Sequence, residues 1–154
     1  MGVEITPSGT TGGKGPRPGP VFRAGMRFVT WIHRRTRDRA MGFDLLYLTT
    51  LGARSGEART VPLARFDDGE GGWLIVGSVG GATKHPAWYH NMAAHPEQIW
   101  VEFGHEKHRV MAESLKGEER ERRFAEIAAA HRRYASYQAK TDREIPVVRL
   151  TPVN

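Results

Sequence analysis

The hydrophobic pattern changes character twice along the 154 residues. Met1 to Pro20 holds six glycines and four prolines with no apolar period, the composition of a disordered arm over residues 1–20. From Val21 to about Arg39 the period turns helical. At about 100° per residue, Arg23, Arg27, Arg34 and Arg37 fall within roughly 80° of one another, and Phe22, Met26, Phe28, Val29 and Ile32 take the other side. This basic amphipathic helix over 21–39 has three placements open to it. It packs its apolar face on the remaining fold, lies on an anionic membrane surface, or forms a dimer contact.

Beyond the helix, short apolar runs bounded by glycine and charge predict strands over Asp44–Leu51, Arg59–Phe66, Trp73–Val79, Gln98–Phe103 and Lys107–Leu115. A last strand spans Ile145–Thr151. The preceding Thr141-Asp-Arg-Glu matches a helix capping box, but Pro146 argues against a helix there. Pro86–Ala94 predicts a short helix with proline as its first residue. A longer helix runs from Lys116-Gly117 to about Tyr134, with Phe124, Ile127, Ala128 and His131 on one face and Arg132-Arg133 suiting the dipole at its end. The class is α+β: a small mixed barrel of about six strands with flanking helices, one domain over 21–154.

Composition removes several chemistries. No cysteine is present, which excludes disulfides, thiolate nucleophiles and iron–sulfur ligation. No window approaches about 20 apolar residues, and the N-terminus lacks the apolar core of a signal peptide. The expected location is cytoplasmic, with peripheral contact to the inner membrane face if helix 21–39 is the membrane contact. His85, His90 and His95 recur every five residues, a spacing that rotates about 140° between them on a helix, so no metal site is expected. A net charge of +6 and a pI near 10.1 point to an anionic partner. Nucleic acid is not expected, because zinc-finger, RNA-recognition and helix-turn-helix signatures are missing and the aromatics are not interleaved with the basic run.

The candidate chemistry sits in two glycine-containing blocks. Gly52, Arg54, Ser55, Gly56 and Arg59 form one; Gly80, Gly81 and Lys84 form the other, just ahead of Trp88 and Tyr89. Glycine turns expose backbone amides, and guanidinium groups grip carboxylate or phosphate by paired hydrogen bonds. A long, flat, polyanionic small molecule fits both. Pro62 marks the strand after the first block as an edge strand or a bulge, where a ligand reaches the backbone. Val76-Gly77-Ser78-Val79 closes a strand and opens the second glycine loop, leaving Ser78 and nearby amides for carbonyl or phosphate oxygens. A Gly-x-Gly-x-x-Gly helix start for a dinucleotide is missing, as is a Gly-x-Ser-x-Gly nucleophile elbow.

Three blocks in this order, Gly-Ala-Arg-Ser-Gly-Glu-Ala-Arg (52–59), Lys-His-Pro-Ala-Trp-Tyr-His-Asn (84–91) and Thr-Asp-Arg-Glu-Ile-Pro-Val-Val-Arg-Leu (141–150), resemble the deazaflavin-dependent nitroreductases. The resemblance covers Asp44 to the C-terminus. It implies a split β-barrel, coenzyme F420 as cofactor, and hydride delivery to a small acceptor, a quinone or nitroaromatic. It further implies cofactor contacts from Arg54, Ser55, Gly56 and Arg59 to the phosphodiester and glutamate tail, from Thr60, Val61, Pro62, Leu63 and Ala64 along the ring, from Val76, Gly77, Ser78, Val79 and Lys84, and from Ala87, Trp88, Tyr89, His90 and Asn91. Tyr134 and Tyr137, three apart on one helix face, match the family's tyrosines on the acceptor side, where a phenol donates to a developing oxyanion. Ala53 and Val79 depart from the family pattern, which commonly has a basic residue at each. Trp88 and Tyr89 serve equally as core aromatics, and the two tyrosines equally cap their helix against the barrel. A non-catalytic barrel carrying a fatty acid or another anionic ligand remains the alternative. The oligomeric state is not legible.

Overall fold

The computed structural model describes residues 2–14, 39–40 and 43–153. Helix 21–39 lies outside these residues except at its end, where Arg39 belongs to a strand. The strands are β1 (Arg39–Ala40), β2 (Phe43–Leu51), β3 (Ala58–Ala64), β4 (Phe66–Asp67), β5 (Trp73–Val76), β6 (Ile99–Phe103), β7 (Glu106–Ser114) and β8 (Val147–Pro152). Three helices follow among them: α1 (Ala87–Ala94), α2 (Gly117–Ala130) and α3 (Arg133–Lys140).

The named strands among the described residues pair antiparallel, in the order β1-β2-β6-β7-β8-β5-β4, with β3 on β2. From β3 to β4 the sheet is six strand spacings wide, roughly 29 Å if flat. Yet only Arg65 separates these strands in the chain, and its N–H donates to Asp44 O at 2.8 Å. The sheet therefore curls until its ends meet, which makes it a split β-barrel.

Both faces of the curl are buried, which accounts for the near-continuous apolar runs. Leu46 and Leu48 of β2, Ile75 of β5 and Val148 and Leu150 of β8 join Trp88, Tyr89 and Met92 of α1 in one core. Their alternates Leu45, Leu74, Val76 and Val147 pack with Phe124, Ile127 and Tyr134 in a second core beneath α2 and α3. Pro62 lies in β3, which pairs only with β2, so its missing N–H costs no ladder bond.

Several boundaries move. The third expected strand stops at Val76, because the chain leaves the sheet at Gly77 and enters a left-handed turn. Pro86 is the cap of α1 rather than its first residue. The longer helix ends at Ala130, where His131 is extended (φ −137°), and restarts at Arg133. Ile127 and Tyr134 are seven residues apart and stay in helical phase, so the apolar period conceals the break.

The segment expected to be part of a disordered arm is held over residues 2–14. Ser114 N donates to Gly2 O, Gly9 N to Thr83 O, and Gly13 and the turn exchange Gly13 N→Gly81 O and Thr83 N→Gly13 O, all at 2.9–3.1 Å. Asp142 accepts from Thr10 N at 2.7 Å, from Thr11 N at 3.0 Å and from the Thr10 hydroxyl, which hold its carboxyl well below the usual range.

Candidate functional site

The first glycine block is a tight turn joining β2 to β3. Gly52 N donates to Glu57 O at 2.8 Å, Gly56 N to Gly52 O at 2.9 Å, and Gly56 takes φ 69°. Buried Asn91 of α1 ties this turn down: its Oδ1 accepts from Ala53 N at 2.9 Å and its Nδ2 donates to Thr50 Oγ1 at 3.1 Å. The second motif block thus fixes the first. Arg54, Ser55, Gly56 and Arg59 project to the surface. Arg59 pairs with Glu57 at 3.1 Å, both well exposed, a contact of little net strength. On β3, Thr60 Oγ1 lies 2.8 Å from Thr49 Oγ1, while Val61 and Leu63 pack on the inner core and Ala64 on the outer one.

The second glycine block is sharper. Val79, Gly80 and Gly81 take φ 44°, 61° and 83°, one left-handed turn closed by Gly81 N→Ser78 O at 2.9 Å and Ala82 N→Val79 O at 3.1 Å. A β-branched residue at positive φ is strained. Ser78 is right-handed (φ −74°, ψ −40°), so the Ser78–Val79 step reverses hand, the geometry in which successive amides converge on an anion. The N–H groups of Ser78, Val79 and Gly80 have no protein partner among the described residues. Helix α3 presses against this turn: a Cβ on Gly81 would sit 2.6 Å from Tyr137 O.

That contact brings the backbone of Tyr137 beside the glycine turn. Tyr134 and Tyr137 meet edge to face at 5.7 Å, and Tyr134 meets Phe66 at 5.8 Å. Tyr134 is buried in the outer core and its phenol is pushed up to about 12 by burial, so it stays protonated. Tyr137 is half-buried and forms the outer member of the pair.

Not every expected residue is exposed. Trp88 (6% exposed) and Tyr89 (0%) are core residues, and the Tyr89 hydroxyl donates to Glu4 O. Val76 and Gly77 are buried beneath the loop rather than on it. Lys84, Ala87 and His90 are exposed.

Two residues escaped sequence reasoning. Arg143, 2% exposed, donates from Nε to Ala82 O (3.0 Å), from Nη1 to Gly77 O (2.9 Å) and from Nη2 to Ser78 O (2.9 Å). Its Nη1 also lies 2.9 Å from Nδ1 of buried His85. A guanidinium only donates, so Nδ1 accepts, and the imidazole carries its proton on Nε2, 2.8 Å from Thr6 O. Burial, with the Arg143 charge adding to it, holds His85 below its ordinary pKa and therefore neutral. Arg143 stands in the third motif block, which was its one sequence signal.

The Ser78–Gly80 amides, unbonded among the described residues, and the exposed cations Arg54, Arg59 and Lys84 are groups that an anionic ligand can use. Comparison with known proteins shows the family. A family model described as F420H(2)-dependent quinone reductase matches residues 23–152. An F420H(2)-dependent quinone reductase of Mycobacterium tuberculosis is 37% identical over 109 residues, 69% of this chain and 72% of the relative. A solved F420-H2 dependent reductase is 42% identical, covering 69% of this chain and 92% of its own, with a TM-score of 0.60. A structure described as a domain-swapped dimer is 36% identical, covering 86% of this chain and 99% of its own, with a TM-score of 0.62.

Proposed function

The chain belongs to the F420H(2)-dependent quinone reductase family, which makes it an oxidoreductase with coenzyme F420 as cofactor, and from that premise we propose that it reduces a quinone or nitroaromatic acceptor across the left-handed turn and α3. One observation supports the placement: the Ser78–Gly80 amides, unbonded among the described residues, and the Tyr137 backbone of α3 meet at the same turn. When bound, reduced F420 supplies the hydride, and the protein supplies orientation and charge.

Arg54, Arg59 and Lys84, all exposed, bind the phosphodiester and glutamate tail, Arg59 leaving its surface pair with Glu57 to do so. The Ser78–Gly80 amides receive an oxygen of the cofactor. Backbone and side chains of Thr60–Ala64 lie along the ring, and Asn91 acts by holding the cationic turn in place. Tyr137 donates its phenolic proton in a hydrogen bond to the oxygen that becomes negative on the acceptor, while Tyr134 packs behind and sets the ring of Tyr137. No side-chain nucleophile takes part.

The test is direct. Protein is titrated with F420 and with NADPH, and oxidation of F420H2 is then followed by deazaflavin absorbance with menadione and with a nitroaromatic. F420 is expected to bind more tightly than NADPH, and turnover to need the acceptor. Equal or tighter NADPH binding sinks the cofactor site as drawn. F420 binding without turnover on either acceptor class sinks the reductase reading.

A further inference from the structure

We propose that Arg143 is the positioning residue of the glycine turn: its guanidinium, with His85 as fourth acceptor, holds the 77–82 backbone in the form that aims the Ser78–Gly80 amides outward. This rests on the assignment of that turn to the cofactor.

Peptide planarity carries the inference. In a trans peptide the carbonyl of one residue and the N–H of the next point to opposite sides of one plane. Arg143 draws Gly77 O and Ser78 O inward at 2.9 Å each, which turns the N–H groups of Ser78 and Val79 away from the core. Its third carbonyl, Ala82 O at 3.0 Å, fixes the far end of the turn. One rigid fork thus spans the whole loop, and it opposes the strain of Val79 at φ 44°.

Among the described residues no carboxylate pairs with Arg143; its partners are three carbonyls and an imidazole. The positive charge behind the turn is therefore not cancelled, and it favours an anion in front. His85 completes the arrangement only while neutral, since a proton on Nδ1 would face the guanidinium. Its other nitrogen reaches Thr6 O, so the 2–14 segment, which also bonds the turn through Gly13, holds the imidazole in register.

The experiment compares R143K, H85Q and H85N. Lysine keeps the charge but loses the fork. Glutamine places a donor near Nε2 and gives up the acceptor facing Arg143, whereas asparagine places an acceptor near Nδ1. Hydrogen exchange is measured without cofactor at Gly81 and Ala82, whose N–H groups close the turn, and at barrel strands β2 and β6 as an internal control. In R143K and H85Q, exchange at Gly81 and Ala82 is expected to rise roughly tenfold or more while the barrel is unchanged, and F420 binding to weaken by a similar factor. H85N is expected to stay near wild type in both. If R143K does not fold, H85Q decides alone. Unchanged exchange at the turn in the folded variants overturns the positioning role. Faster exchange with F420 affinity within about twofold of wild type leaves Arg143 as the clamp and instead overturns the assignment of the turn to the cofactor.

Discussion

Asn91 offers the cleanest separation of the cofactor grip from the barrel that carries it. Its amide makes two bonds, to Ala53 N at 2.9 Å and Thr50 Oγ1 at 3.1 Å, in a buried position behind the 52–57 turn. At about 0.5–1.5 kcal/mol net for each bond, Asn91→Ala should cost about 1–3 kcal/mol, read as a lower urea midpoint with little change in slope. The larger effect falls on binding. The turn carries Arg54 and Arg59, and once untied it must be ordered when the ligand arrives, so F420 affinity should fall roughly tenfold. Asn91→Asp distinguishes position from charge. The carboxylate still accepts from Ala53 N, and the Thr50 hydroxyl turns to donate, so the turn stays tied. A negative charge now lies under the cationic grip, and the lost affinity should narrow between wild type and variant as salt is raised. The assay is fluorescence titration of F420 at two ionic strengths beside urea unfolding. If Asn91→Ala loses stability but binds F420 like wild type, the 52–57 turn does not need its placement and the coupling of the two motif blocks is only structural.

Arg59→Ala should weaken F420 binding up to roughly tenfold and flatten its salt dependence, whereas Glu57→Gln, which releases Arg59 from its ion pair, should tighten it about twofold; titration at low salt reads both. His85 is neutral in the fold, between Thr6, Arg143, Tyr89 and His90, but takes a proton near 6.5 when unfolded. The unfolded chain therefore binds more protons below that pH, and stability should fall as pH drops through 6.5 until the lowered folded value is passed. His85→Asn should remove that part of the slope in urea unfolding from about pH 8 to 5. Tyr137→Phe should lower kcat/KM for a quinone or nitro acceptor by roughly tenfold with F420 affinity within a few-fold, less than a fully enclosed oxyanion donor would cost; a collapse of F420 affinity with normal turnover at saturation would place Tyr137 on the cofactor wall.

What could be read without coordinates follows from where each interaction lives. The six longer strands were legible because Leu46 and Leu48 alternate with Leu45 and Tyr47 on a sheet buried on both faces, and Pro62 marked its own edge. The cationic turn was legible because its exposed arginines and glycines mark it in residue identity. Arg143 was not, since three of its four acceptors are backbone carbonyls 61 to 66 positions away, and carbonyls leave no mark in residue identity. Residues 2–14 misled for the same reason: glycine, threonine and proline composition reports weak side-chain burial, while this segment is held by main-chain bonds to Gly81, Thr83 and Ser114. The helix break at His131 was hidden by an apolar phase that continues unbroken from Ile127 to Tyr134.

These separate ties divide the proposed site into a stiff half and a soft half. Three elements converge on the glycine turn: Arg143 ahead of β8, Gly13 of the N-terminal segment, and α3 at Tyr137. Because α3 packs its Tyr137 backbone on this turn, the proposed acceptor-side phenol of Tyr137 and the amides of Ser78–Gly80 are held by one packed unit. Arg54, Arg59 and Lys84 are exposed side chains whose ordering costs about 1.5–2 kcal/mol each in lost rotamers, so they contribute mainly screened, adaptable attraction. Hydride transfer tolerates little error in the spacing of donor and acceptor, whereas a flexible acidic tail tolerates much. Placing the reacting groups on the stiff half and the tail on the soft half lets tails of different length bind without displacing the chemistry.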